Sequence, residues 1–259
     1  MKIGFISDIH EDIVMLKQTV SILEKMQIDE IVCLGDIVGY SVPFYSYMRE
    51  RDANKVVDLV RAVCSAVVIG NHDLFAIKKI PANRSFFDYP ENWYGLDFSD
   101  RQVRASERLY VYENNELPTL LTSKNLEYIK NLPEHVVKNC GDHCILFTHY
   151  AFPDCTGSSI WSPKTSDDLR THFNFMKREN CLYSFSGNDH IEGMEIFTPD
   201  TKINVTFETV NLPNDKVWVH GPPIARGTTH NGFMVYDSSK KELMAVPLNS
   251  EKHIIPRSI

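Results

Sequence analysis

The stretch Ala66-Val-Val-Ile-Gly70-Asn71-His72-Asp73 decides how this chain is read. An apolar, β-branched run marks a buried strand. It breaks into a glycine, which lets the backbone turn sharply and approach a neighbour closely, and then into three polar side chains. In 259 residues of this composition about 0.002 copies of G-N-H-D are expected by chance.

The same pattern lies upstream. Lys2–Ser7 reads as a strand that runs into Asp8-Ile-His10, and Glu30–Leu34 as one that runs into Gly35-Asp36-Ile-Val-Gly39. By the same arithmetic G-D-x-x-G is expected about 0.04 times, but D-x-H about 0.7 times, so D-x-H says little by itself. Ile13, Leu16, Val20 and Leu23 predict an amphipathic helix over Asp12–Met26, and Val56, Val57, Leu59, Val60 and Val63 give a second helical face. This β-α-β-α-β opening predicts parallel strands with right-handed crossovers.

Further on, His143–Thr148 reads as a strand ending at His149, and Tyr183–Ser186 as one ending at Gly187-Asn188-Asp189-His190. All five polar clusters thus follow strands, and open α/β sheets collect ligands outside the carboxyl ends of their strands. Thr165-Ser-Asp-Asp168 is a capping-box start for a helix to about Lys177. Short strands are expected at Met194–Phe197, Val205–Val210, Val217–His220, Gly232–Tyr236 and Glu242–Val246. Residues 75–118 are less periodic, with a helix around Asp100–Tyr112, and read as a surface excursion that caps the strand ends. A short helix over Lys124–Asn131 follows it. One domain over residues 1–259 is the expectation.

The chemistry of these positions is that of a divalent cation site. In extended chain Asp8 and His10 project to one side, and an oxygen donor beside an imidazole begins a metal shell. Asp36 has two oxygens with which to bridge two cations. Asn71, His149 and the end of the 187–190 loop complete a mixed nitrogen and oxygen shell. Taken singly, each has a bland reading: Asp8 as a helix cap, Asp36 as a turn residue, His149 as a polar strand end. Only joint occurrence argues against them. His135 and His143 have no such context and read as surface residues. Cys140-Gly-Asp-His143-Cys144 lacks a second ligand pair and reads as a turn between two strands.

Composition excludes other classes. With 27 Lys+Arg against 34 Asp+Glu the net charge is −7, unlike the basic face of a dedicated duplex-DNA binder. No apolar stretch is long enough to span a membrane. The opening MKIGFISDIH reaches Asp8 too soon for a secretory signal, and six scattered cysteines read as reduced thiols. A cytoplasmic location is expected.

The order D-x-H, G-D-x-x-G, G-N-H-D, H and G-x-x-H resembles the calcineurin-like metallophosphoesterases. GDIVGY and VIGNHD are most similar to the small bacterial phosphodiesterase-type members, and the likeness runs from Met1 to about Asp237. The resemblance implies an α/β fold, a four-layer α/β/β/α sandwich with mixed sheets. It implies two divalent metals, with Mn²⁺ first and Fe, Mg, Ni or Zn as alternatives. Asp8, His10 and His190 would hold one, Asp36 would bridge, and Asn71 and His149 would hold the other with residue 188. His72 would protonate the leaving oxygen while a metal-bound hydroxide attacks phosphorus in line. The partner implied is a phosphorylated small molecule or nucleotide.

Two departures stand out. Asn188 replaces the usual His of a G-H-x-H pattern. An amide oxygen is a harder and weaker donor, which moves the second site toward Mn²⁺ or Mg²⁺ or leaves it weakly bound or absent. Asp189 lies one residue out of register. In Trp218-Val-His220-Gly-Pro222-Pro-Ile-Ala-Arg226-Gly, His220 and Pro222 stand where relatives often have Asn and Ser, and Arg226 reads as a surface-turn arginine. Three functions follow, in order: a phosphodiesterase or small phosphomonoesterase; a degenerate, weakly or non-catalytic member that binds a phosphorylated ligand or partner; and a protein Ser/Thr phosphatase or dinucleoside-polyphosphate hydrolase. The last ranks lowest, because such relatives read G-D-x-x-D-R-G and G-N-H-E where this chain has Gly39-Tyr40 and Asp73.

Overall fold

The computed structural model describes residues 1–255, so the last four residues of the expected 1–259 domain lie outside the described residues. Its strands, in chain order, are β1 (Lys2–Ile6), β2 (Glu30–Cys33), β3 (Tyr40–Ser41), β4 (Cys64–Val67), β5 (Glu116–Leu117), β6 (His135–Asn139), β7 (Cys144–Thr148), β8 (Cys181–Ser186), β9 (Met194–Phe197), β10 (Lys202–Val205), β11 (Thr209–Asn211), β12 (Val217–His220), β13 (Gly232–Asp237) and β14 (Glu242–Pro247). The α-helices are α1 (Ile13–Lys25), α2 (Ala53–Val63), α3 (Asn71–Ala76), α4 (Phe98–Ala105), α5 (Ser123–Lys130) and α6 (Arg170–Arg178).

Two six-stranded mixed sheets carry the fold, in the orders β11-β14-β13-β1-β2-β4 and β10-β9-β12-β8-β7-β6. The strands β1, β2 and β4 run parallel, as do β7, β8 and β12, while their flanking strands are antiparallel. Period-two alternation sorts each strand between two cores. Ile3 and Phe5 of β1 meet Phe147 and Phe185 between the sheets, where Phe5 stacks on Phe185 with centroids 4.4 Å apart. Ile6 and Cys33 face outward onto α1 and α2. Leu146 and Trp218 face α6 on the far side. The result is the expected α/β/β/α layering, with the carboxyl ends of both parallel trios at one edge.

Several expected elements shift for local reasons. Asp12, not Asp8, caps α1: its carboxylate accepts the Met15 N–H at 3.1 Å. The expected strand over 205–210 is split, because the chain passes there from β10 in one sheet to β11 in the other. The expected helix over Asp100–Tyr112 ends at Ala105, where Ser106 turns left-handed (φ 44°) and Leu109 then bridges Ser159. The capping box at Thr165 and Asp168 opens a 3₁₀ turn, Ser166–Leu169, before α6 begins. Cys140–His143 is the turn joining β6 and β7, closed by Cys140 N–H to His143 O at 2.9 Å. His143 itself is buried rather than on the surface, because the Tyr236 hydroxyl of the opposite sheet pairs with its Nε2 at 2.9 Å.

Candidate metal centre

Asp8 and His10 leave β1, Asp36 leaves β2, Asn71 and His72 follow β4, His149 follows β7, and Asn188 and His190 follow β8. The sheets bring all eight sequence-predicted residues to one edge. Asp8, His10, Asp36, Asn188 and His190 have φ of 53°, 45°, 51°, 80° and 51°. Left-handed backbone costs roughly 1–2 kcal/mol per residue outside glycine, and five such residues at one site mark strain held for geometry. Gly70 is required by crowding: a Cβ there would lie 2.2 Å from Asp36 Oδ1.

Backbone carbonyls set the histidine tautomers. His149 Nδ1 lies 2.7 Å from Leu34 O, and His10 Nδ1 lies 2.9 Å from Gly39 O. Each Nδ1–H therefore donates outward and leaves the Nε2 lone pair facing the centre, the arrangement that orients metal-ligating imidazoles. His10 Nε2 and His190 Nε2 are 3.1 Å apart, and His190 Nε2 is 3.3 Å from Asp8 Oδ1. His149 Nε2 is 3.2 Å from Asp36 Oδ2 and 3.8 Å from Asp8 Oδ1. Ligand atoms of Asp8, His10 and His190 lie within 4.8 Å of one another, as do those of Asp8, Asp36 and His149, and of His10, Asp36 and His72.

A second convergence involves the two amides. Asn188 Nδ2 donates to Asp189 Oδ1 at 2.8 Å, so its own oxygen turns inward. Asn71 Nδ2 donates to the Tyr112 hydroxyl at 2.5 Å. Asn71 Oδ1 then sits 3.1 Å from His149 Nε2, 3.1 Å from Thr156 O, 3.2 Å from Asp36 Oδ2 and 3.3 Å from Asn188 Oδ1. A protonated His149 Nε2 donates to this oxygen, but the Thr156, Asp36 and Asn188 oxygens still face it with lone pairs and need a positive partner. Either a cation sits among them, or the Asn71 amide turns over and donates its NH₂ to the same acceptors. The donor set therefore fits a divalent cation.

Electrostatics agree. Burial opposes ionisation of Asp8 and Asp36, yet the surrounding imidazoles hold Asp8 well below the usual carboxylate range and Asp36 at about 2. Burial likewise opposes the His149 cation, but Asp36 and Asp8 outweigh it and raise His149 to about 10. His10, facing like-charged histidines in a buried place, falls to about 3. Two buried carboxylates thus draw on whatever positive charge is near, the situation a metal ion resolves.

The sequence motifs missed Glu116 and Thr156 and gave Asp73 no role of its own. Glu116 Oε2 lies 2.5 Å from His72 Nδ1, and its side chain is buried. Burial disfavours the His72 cation, but Glu116 and Asp36 overcome it and raise His72 to about 9. Asp73, the last residue of the motif, is a brace: its carboxylate accepts from Ile37 N, Val38 N and Gly70 N at 2.9–3.1 Å, tying two site loops together. Thr156 contributes a backbone oxygen, which no side-chain pattern announces.

The 218–226 segment supports β1. Ile224 and Ala225 donate backbone N–H to Ser7 O and Asp8 O at 2.9 and 3.0 Å. Arg226 is not a free surface cation; it forks onto Asp12 at 2.8 and 3.0 Å and reaches Glu50 at 2.6 Å. His220 is buried, stacked on Trp218 at 5.1 Å, with neither nitrogen hydrogen-bonded among the described residues. Above the cluster lies a cavity of about 690 Å³ whose lining includes Asp36, Asn71, His72, Asn188 and His190, together with Tyr110, Tyr112 and Asn115 of the 75–118 excursion.

The profile of the calcineurin-like phosphoesterase superfamily domain matches residues 1–206. An uncharacterized protein of Methanocaldococcus jannaschii is 28% identical over 162 residues, 59% of this chain and 54% of that protein. The chain thus spans about half the length of the curated relative it matches. Among solved structures, a metallophosphoesterase from Sphaerobacter thermophilus superposes with a TM-score of 0.66 at 18% identity, over 97% of this chain and 89% of that one. A hypothetical protein from Pyrococcus horikoshii gives 0.59 at 12% identity, over 96% and 88%. At these identities the likeness is one of fold. Among the described residues no helix is long and apolar enough to cross a membrane.

Proposed function

The chain belongs to the calcineurin-like phosphoesterase superfamily, and from that premise we propose that it is a metal-dependent hydrolase of a phosphodiester or small phosphomonoester. The observation that carries this reading is the inward convergence of donor atoms in the Asp8–His10–His190 and Asp8–Asp36–His149 groups and of the Asn71 and Asn188 side chains beside them. Asp8, His10 and His190 would hold one cation, Asn71, His149 and Asn188 the other, and Asp36 would lie between them. Bound divalent cations supply Lewis acidity toward phosphoryl oxygens.

The protein's own groups do the rest. Asp36 Oδ1 accepts the His72 backbone N–H at 2.9 Å and so fixes this histidine beside the cluster. With Nδ1 engaged by Glu116, the proton His72 has to give is the one on Nε2. A protonated imidazole lining the cavity suits it as the general acid for a leaving alkoxide. The oxygen-rich second set favours Mn²⁺ or Mg²⁺ over Zn²⁺ by ligand preference. A non-catalytic binder is the better reading only if Asn188 turns away from the site, and its oxygen faces Asn71. The −7 net charge is no obstacle where a cation meets the phosphate first.

The test is Mn²⁺-stimulated hydrolysis of bis(p-nitrophenyl) phosphate, with Asp36→Asn alongside. A fall of about a hundredfold or more in the variant is expected. Absence of turnover on mono- and diester panels, with the variant indistinguishable, would sink the proposal.

A further inference from the structure

The cavity over the cluster, about 690 Å³, has the size of a small-molecule site and exceeds what a phosphate alone occupies. Its walls are aromatic on two sides. On one, the Tyr112 ring lies 4.5 Å from the His72 ring, and Tyr110 stacks on Tyr112 at 6.0 Å and 26°. On the other, Tyr45 packs 5.1 Å from the His10 ring and 6.4 Å from that of His190, and the adjacent Phe44 also lines the cavity. Tyr45 is buried, but Tyr110 is 47% and Phe44 44% exposed.

Single exposed apolar residues need no explanation. Two large exposed rings from distant parts of the chain, both lining one cavity, do. Tyr110 lies one ring farther from His72 than Tyr112, on the scale of the ribose that separates a phosphate from a base. Lys164 lines the same cavity; its Nζ bonds Ser162 Oγ at 3.1 Å, and it has no carboxylate partner among the described residues. Its charge remains for an anionic ligand.

We infer that this cavity takes a nucleotide, with the phosphate at the metal-ligating cluster and the base against Tyr110 and Phe44. Every base offers a π-face, so such stacking is strong without selecting one base, and amounts to about tenfold in affinity or more. The inference rests on the proposed phosphoesterase reading for its phosphate end and on the aromatic walls for its base.

The experiment is calorimetric binding of AMP and of ribose 5-phosphate to the full chain loaded with Mn²⁺, in a His72→Asn background so that neither ligand is consumed. AMP is expected to bind at least tenfold more tightly. Tyr110→Ala should reduce that preference below threefold, and Tyr110→Phe, which keeps the ring, should retain it. Thermal melting checks that each variant is folded. Equal affinity for the two ligands overturns the inference, as does a preference that survives both Tyr110→Ala and Phe44→Ala, or no binding of either at millimolar concentration. Turnover of bis(p-nitrophenyl) phosphate without an AMP preference removes the base site alone. An AMP preference without turnover keeps the base site and removes the hydrolase.

Discussion

Glu116 Oε2 lies 2.5 Å from Nδ1 of His72, across 44 positions of sequence. The pairing of β5 with β3 places it: Glu116 sits opposite Ser41, just beyond the Asp36 loop. Its other oxygen has no hydrogen-bond partner among the described residues, although the side chain is buried. A buried, half-satisfied carboxylate is costly unless a cation compensates it, and His72 is the group that does.

Glu116→Gln should therefore lower kcat about ten- to a hundredfold with little change in KM. The amide still accepts the Nδ1–H, but the negative charge that keeps the imidazole protonated is lost. Steady-state kinetics on the aryl diester check this, and an unchanged kcat would remove Glu116 from the proton-holding pair.

Metal content follows from the amide geometry. Wild-type protein should hold two Mn²⁺ per chain by elemental analysis after dialysis, because Asn188 Oδ1 faces the Asn71 oxygen. Asn188→His should shift competition at the second site toward Zn²⁺ by about tenfold, since imidazole is the softer donor. One metal per wild-type chain would contradict this reading.

What the sequence made legible follows the length of each signal. The short apolar runs ending in polar motifs placed β1, β2, β4, β7 and β8 and set eight site residues at one edge. Glu116 was invisible because β5 is two residues long, too short for any periodicity to appear. The helix α3 was invisible because the motif residues are themselves its first turn. Thr156 acts through a carbonyl that every residue type has. The roles of Arg226 and His143 depend on Asp12, Glu50 and Tyr236, partners brought close only by the fold.

Arg226→Ala should destabilise the protein by roughly 2–3 kcal/mol. Asp12 is fully buried, and losing its forked partner strands a charge, an effect of about 3–5 kcal/mol for wholly buried pairs. The Arg226 side chain is 23% exposed, so water offsets part of it. Urea denaturation measures the change, and a loss below about 0.5 kcal/mol would show the pair to be a surface contact in energetic terms.

Acid should weaken the fold through His172. This fully buried ring accepts the Phe152 N–H at Nδ1 (2.9 Å) and faces Ser184 Oγ with Nε2 (3.1 Å), so the proton sits on Nε2. A second proton would have to go on Nδ1, against an N–H. Burial accordingly lowers the group from 6.5 to about 3. Because the folded value is depressed, the unfolded chain binds the proton more readily. The contribution of His172 is complete above pH 6.5 and declines as pH falls from 6.5 toward 3. At pH 4 the loss is on the order of 3 kcal/mol. His172→Gln, which keeps a neutral acceptor and donor, should lose less stability than wild type between pH 7 and pH 4, whatever its stability at pH 7. Parallel pH profiles for the two proteins would show instead that the folded chain takes up the His172 proton as readily as the unfolded one.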